Sequence, residues 1–202
     1  MKTTQIGLPQ FNLKFTLNQK LNIAISSYRS APFGGGQGIF VYELSKALQA
    51  LGHKVDIISG PPYPSLEPEI SLIKSPGLDL FSTFVFKERL SLFKNKKNKS
   101  LDDWYEFFSA FLGGFPEIKT FGNRIRDLLD ESSYDIVIDN QSISYGILQV
   151  QENIPVIEIV HHPITKDYEY DLQFSRGIIQ KLSKWRWFSF LKMQKRVASK
   201  LH

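Results

Sequence analysis

The sequence predicts an α/β protein: a doubly wound, mostly parallel Rossmann-like sheet in a single domain. Three observations predict it. Short β-branched apolar runs recur along the chain, and each reads as a strand buried on both faces. Helical patterns separate these runs, as they must when parallel strands are joined by crossovers. The first two runs enclose a glycine-rich loop and a helix between Leu21 and Ser59, which is a βαβ unit with a right-handed crossover.

The first strand is LNIAISS, Leu21 to Ser27. The stretch SAPFGGGQG then places Gly34, Gly35, Gly36 and Gly38 within five positions. A helix follows, because Ile39, Tyr42, Leu44, Leu48 and Leu51 fall near helical spacing and Gly52 stands where a helix C-terminus favours glycine. HKVDIIS, His53 to Ser59, is the second strand, and GPPYP ends it, since adjacent prolines cannot continue a ladder. PEISLIKS gives a third strand. Leu78 to Gly114 is rich in aromatics and is broken by the polar run KNKKNKS, read as a solvated loop. EIKTFGNRIRDLLDES reads as a helix before the strand YDIVIDN, Tyr134 to Asn140, and IPVIEIV, Ile154 to Val160, is a further strand.

With 202 residues, 42% hydrophobic and 13% aromatic, the chain suits one domain with a sizeable core and is short for two. Residues 1–20 read as an N-terminal extension and residues 21–202 as the domain. There is no cysteine, which excludes disulfides and thiolate metal sites and fits a reducing cytoplasm. No apolar run is long enough to span a bilayer, and the N-terminus lacks the apolar core of a signal peptide. The net charge of +5 is unevenly placed: no acidic residue follows Asp171, while eight of the 25 basic residues do. The rest of the chain is mildly acidic, with 17 basic against 20 acidic residues, so the pI of about 9.3 does not indicate a nucleic-acid partner.

In an open parallel sheet, ligands bind beyond the carboxyl ends of the strands. Three clusters fall there: the glycine loop, DNQSISYG (Asp139 to Gly146), and HHPITKD (His161 to Asp167). Without Cβ atoms the glycine loop lets backbone approach a ligand, and its N–H groups with the helix behind them favour an anion such as phosphate. The alternative is a plain strand-to-helix turn. Ile39 and Val41 break the dinucleotide fingerprint, and no G-K-[ST] follows, so a Walker loop is excluded. His161 and His162 are adjacent, so on an extended segment their side chains part and do not share a metal. No metal site or cofactor is expected. A histidine there either donates to a sugar hydroxyl or a developing charge, or is satisfied by nearby backbone. No nucleophile motif or spaced acid/base pair stands out, and Glu158, inside an apolar strand, is read as paired or facing solvent, with a shifted pKa as the lesser alternative.

The C-terminal segment, about residues 178–201, is laid out as one basic amphipathic helix. Trp187, Phe190, Leu191, Val197, Ala198 and Leu201 share one face, with Gln194 the exception. Lys184, Lys192 and Lys195 lie on the other with Trp185 and Phe188 among them. Such a face suits an anionic membrane surface, or it is the solvated side of a helix packed on the sheet.

GGQGIFVYELSKALQALGHKVDIISGPPYP, YDIVIDNQSISYG, PVIEIVHHPIT and WRWFSFLKMQKRVASKL together resemble the N-terminal half of a bacterial family 4 glycosyltransferase. The resemblance implies one of the two facing Rossmann-like domains of the GT-B arrangement. It implies a retaining transfer of a sugar from a nucleotide-diphosphate sugar to an acceptor, in the cytoplasm or peripherally on the inner face of the plasma membrane, as in cell-envelope glycan synthesis. It makes Gly35, Gly36 and Gly38 the loop near the donor's phosphate and sugar, and puts His161 beside the transferred sugar as the catalytic position. It places Asp139, Asn140, Gln141, Ser142, Tyr145 and His162 along the acceptor cleft. The family's donor-binding domain and its E-x7-E pair are absent from these residues, so the expectation is an acceptor-side domain that is inactive alone. Two rivals stay open: a non-enzymatic Rossmann-like module that binds a membrane or protein partner, and a nucleotide- or phosphate-binding domain of another α/β enzyme.

Overall fold

The computed structural model describes residues 19–32, 36–129 and 134–202. The extension expected over residues 1–20 lies outside them except for Gln19 and Lys20. Five parallel strands, β1 (Asn22–Ser27), β2 (Lys54–Ser59), β3 (Ser71–Lys74), β4 (Ile136–Asn140) and β5 (Val156–Ile159), form one sheet in the order β3-β2-β1-β4-β5. Alternation along β1 divides its side chains between two cores. Ile23 and Ile25 join Val55, Ile57, Ile138 and Val41, the last from α1 (Gly36–Ala50). Ala24 joins Ile58 and Val137 on the opposite face. There α4 (Glu117–Leu128), α5 (Tyr145–Val150) and α8 (Leu191–Ala198) cover the sheet with Ile118, Phe121, Ile125, Ile147, Met193 and Val197. Helices on both faces of a parallel sheet make the doubly wound arrangement that the strand pattern implies.

Three elements refine or depart from the sequence reading, each for a packing reason. α1 buries Gly38, Val41 and Ser45, while Ile39 and Leu51 are 56% and 65% exposed. Two small residues on its inner face let the helix lie close to the sheet. In α3 (Leu101–Phe111) the acidic side turns inward. Asp103 accepts from Lys96 Nζ (2.6 Å) and Arg124 (3.3 Å), and Glu106 accepts from Arg124 (2.7 Å) and Thr120 Oγ1 (2.6 Å). That network holds α3 between α2 (Phe86–Asn95) and α4, and it leaves Leu101, Phe108 and Phe111 on the surface.

The third departure is the C-terminal segment, which is not one helix. α6 (Ile164–Phe174) leads into α7 (Ile178–Trp187), then a 3-10 turn over Phe188–Phe190, then α8. Side chains three apart eclipse in a 3-10 turn. Trp187 and Phe190 accordingly both reach Phe115, at ring separations of 5.4 and 5.7 Å. The break re-aims the last helix, so Ala198 is exposed while Met193 and Gln194 are buried.

α4 and α5 touch through backbone. A Cβ built on Gly146 would stand 1.8 Å from the Gly122 carbonyl oxygen. Gly146→Ala is therefore expected to cost about 2–3 kcal/mol and lower the Tm by roughly 5–10 °C, read by calorimetry.

Candidate active site

The strand order reverses direction between β1 and β4, and a cleft of about 440 Å³ opens at the carboxyl end of the sheet around that switch point. Arg29 and Ala31 from the loop after β1, Gly36, Gln37 and Phe40 from the start of α1, Phe81, and the two histidines after β5 border it.

His161 is held from several sides. Its main-chain N–H donates to Gln141 Oε1 (3.3 Å), its Nε2 lies 2.6 Å from Asn140 Oδ1, and its ring stands edge-on to Phe40 at 4.8 Å. Partial desolvation first, then the neighbouring His162, lower its pKa, which favours the neutral imidazole. The chain bends at His162, and both rings border the cleft where a straight extended segment would have parted them. His162 lies 3.4 Å from Asp167. No group of three His, Asp or Glu residues among the described residues has the geometry to hold a metal ion.

Two glycines of the loop have different reasons to be glycine, and Gly35 lies outside the described residues. A Cβ on Gly38 would meet the Ala31 carbonyl oxygen at 2.1 Å, so internal packing demands glycine there. A Cβ on Gly36 would meet nothing within 4 Å, and Gly36 borders the cleft. The opening it leaves is available to a ligand.

Asp139, Ser142 and Tyr145 border no part of this cleft. Asp139 is fully buried and accepts from Ser26 Oγ (2.5 Å), from Ser142 N and Oγ, and from Ile143 N (3.0 Å). Tyr145 lies on α5, where its hydroxyl accepts from Arg196 (3.3 Å). Asn140 and Gln141 are buried and act through neighbours, Asn140 on His161 and Gln141 on both His161 and Gln37 (3.4 Å). Trp185, Phe188, Lys192 and Lys195 border a separate groove with Tyr168. Phe188 packs on Tyr168 at 5.2 Å, Lys184 pairs with Asp171 at 2.7 Å, and Trp185 stays 60% exposed.

Arg29, Gln37 and Phe81 were not singled out by the sequence. The Arg29 guanidinium stacks over the Phe81 ring at 4.0 Å, with Tyr28 and Phe115 at 5.2 and 5.3 Å. Its Nη1 and Gln37 Oε1 are buried and make no hydrogen bond among the described residues. Buried polar atoms normally find partners, so a donor and an acceptor left over beside one cleft mark where a polar ligand fits. The one available signal was position: both residues flank the glycine loop.

A parallel α/β domain with a cleft at its switch point belongs to the class of α/β proteins that bind ligands at the carboxyl edge of the sheet. The family model described as Glycosyltransferase Family 4 matches residues 34–198. The chain is 38% identical over 185 residues to the MMP alpha-(1->4)-mannosyltransferase of Mycolicibacterium hassiacum, a match covering 90% of this chain and 44% of that protein. The chain belongs to glycosyltransferase family 4, and it spans less than half the length of the curated relative it matches.

Glu158 pairs across the sheet with Asp139, and both of its carboxyl oxygens are buried without a hydrogen-bond partner among the described residues. Burial first, then the Asp139 charge, push its pKa up to about 11. The folded protein keeps this proton where the unfolded chain, with an ordinary carboxyl, releases it. Its contribution is full below the ordinary carboxyl pKa and is lost as pH rises toward the folded value, at up to about 1.4 kcal/mol per unit. Glu158→Gln is expected to lose less stability than the natural protein between about pH 6 and pH 9, by urea denaturation. Equal losses would mean that Glu158 is charged in the fold.

Proposed function

We propose that this domain is the acceptor-side half of a retaining hexosyltransferase of GT-B architecture, moving mannose from a nucleoside-diphosphate sugar to a mannoside acceptor. The observation that carries the reading is the cleft itself, where Arg29 Nη1 and Gln37 Oε1, unpaired among the described residues, stand beside His161 and an unobstructed Gly36. Family membership and the similarity to an α-1,4-mannosyltransferase support the reaction class and the sugar.

In such a transfer the bond from the anomeric carbon to the diphosphate breaks, one to the acceptor oxygen forms, and the acceptor's hydroxyl proton leaves with the diphosphate. Positive charge spreads over the sugar ring and negative charge over the leaving diphosphate. Arg29 offers a fixed donor toward that negative charge, and its stacking on Phe81 means little freedom is lost when it engages. Gly36 lets the ligand approach the first turn of α1. Gln37 offers an acceptor for a sugar hydroxyl. These groups line one wall, and a second domain is required to close the cleft over the nucleotide. The 202 residues alone are therefore expected to transfer nothing.

The test is transfer from a nucleoside-diphosphate mannose to a short α-1,4-linked mannoside, by the protein in the longest form its source cells make. Retention of configuration is expected. His161→Ala is expected to lower kcat/KM by about 10²–10³-fold. Gly36→Ala is expected to fold with stability within about 0.5 kcal/mol of the natural protein yet to transfer more slowly. An inverted product overturns the reading, and transfer by the 202 residues alone overturns the half-cleft part of it.

A further inference from the structure

We propose that Ser27 and Asn140 are positioning residues that fix the tautomer of His161, holding its proton on Nε2 and leaving Nδ1 as a bare acceptor. The argument runs along one chain of buried hydrogen bonds. Ser27 Oγ lies 2.8 Å from the Arg29 carbonyl oxygen. A carbonyl only accepts, so the single hydroxyl proton of Ser27 is committed to it. The two other groups on Ser27 Oγ must both donate: Ser30 Oγ at 2.8 Å and the Asn140 amide at 3.0 Å.

Only the NH2 end of an asparagine donates. The Asn140 side chain is thereby oriented with Nδ2 toward Ser27 and Oδ1 toward His161 Nε2, 2.6 Å away. Oδ1 has no proton to give, so the hydrogen on that short contact belongs to Nε2. Ser27, Ser30 and Asn140 are each 0% exposed, which keeps out the water that would let the amide turn over. Ser30 is itself tied down, its N–H donating to the Pro62 carbonyl at 2.8 Å. The ring cannot swing away either, because the His161 main chain is held by Gln141 and its ring by Phe40.

The consequence concerns which part of a substrate His161 can touch, and it rests on the reading of the cleft as a sugar site. A bare Nδ1 accepts a hydrogen bond and has none to donate, so it suits a sugar hydroxyl and repels a phosphate oxygen. Arg29, on the same cleft, has the opposite character. The two side chains therefore sort the two chemically different parts of a sugar phosphate, hydroxyl to His161 and anion to Arg29.

The test is a long-range proton–nitrogen correlation spectrum of the protein labelled with 15N-histidine, at a pH where the ring is neutral. His161 is assigned by its loss in His161→Gln, which separates it from the three other histidines. The nitrogen coupled to both ring C–H protons, Nε2, is expected to resonate as protonated and the other as unprotonated. Ser27→Ala removes the acceptor that orients Asn140 and is expected to move both nitrogens toward averaged positions. A protonated Nδ1 or an averaged pair in the natural protein overturns the proposal, as does a Ser27→Ala spectrum identical to it. The natural protein's spectrum decides the matter even where the variant does not fold. Neither spectrum depends on sugar transfer, so failure of the functional reading would show in the transfer assay and leave this result standing.

Discussion

A single buried carboxylate, Asp139 at the end of β4, organises the loop on which the cleft depends. It gathers a hydroxyl from Ser26 on β1 and two main-chain N–H groups plus a hydroxyl from its own loop. Gln141 and Ile143 in that loop have φ values of 63° and 43°, a region that non-glycine residues enter only when neighbours enforce it. Charge-assisted hydrogen bonds converging on one group supply that enforcement. Gln141, so placed, reaches both His161 and Gln37, linking the loop after β4 to the loops on either side of it. α8 closes the arrangement from outside, since Gln194 Nε2 donates to the Ser142 carbonyl at 3.2 Å.

The other constraint on the cleft is aromatic. Among the described residues no carboxylate lies within salt-bridge distance of Arg29, and its charge is accommodated by ring faces, with Phe81 nearest. Cation–π contact stabilises a guanidinium without neutralising it, unlike pairing with a carboxylate. Phe115 continues the cluster to Trp187 and Phe190, so the same rings that steady Arg29 also set the break between α7 and α8. Packing at one edge of the sheet thus governs both a ligand-facing charge and the path of the C-terminal helices.

Much of this was legible in the sequence, and the gaps have physical causes. The strands announce themselves because burial on both faces leaves short β-branched apolar stretches such as the IAI of β1 and the IVI of β4. The apolar spacing in α1 marks a helix, and Leu44 and Leu48 pack on the core, but its closest approach to the sheet is made by Gly38, Val41 and Ser45, two of them too small for that spacing to register. α3 was opaque for the opposite reason: its buried residues are Asp103 and Glu106, which become acceptable inside only once Lys96 and Arg124, far apart in sequence, are brought to them. The histidines were placed correctly by topology, at a strand's carboxyl end. Arg29 and Gln37 were not, since an arginine after a strand carries no mark until its unpaired nitrogen is seen.

The order of strands also governs how the molecule comes into being. β1 sits at the centre of the sheet, yet one of its two partners is β4, with Ile23 beside Ile136. Pairing across such a separation requires a long loop to close, which slows folding in proportion to how non-local the contacts are. A chain emerging from the ribosome can form the β1–α1–β2 unit early, but the second edge of β1 stays unpaired until β4, which ends at Asn140, has been made. Through that interval its open backbone edge invites association with other chains. The polar residues that later build the cleft, Ser26 and Ser27 among them, lie on that waiting edge. The contacts they make to Asp139 and Asn140 wait for β4, so this part of the site is assembled in the same event that seals the edge of β1.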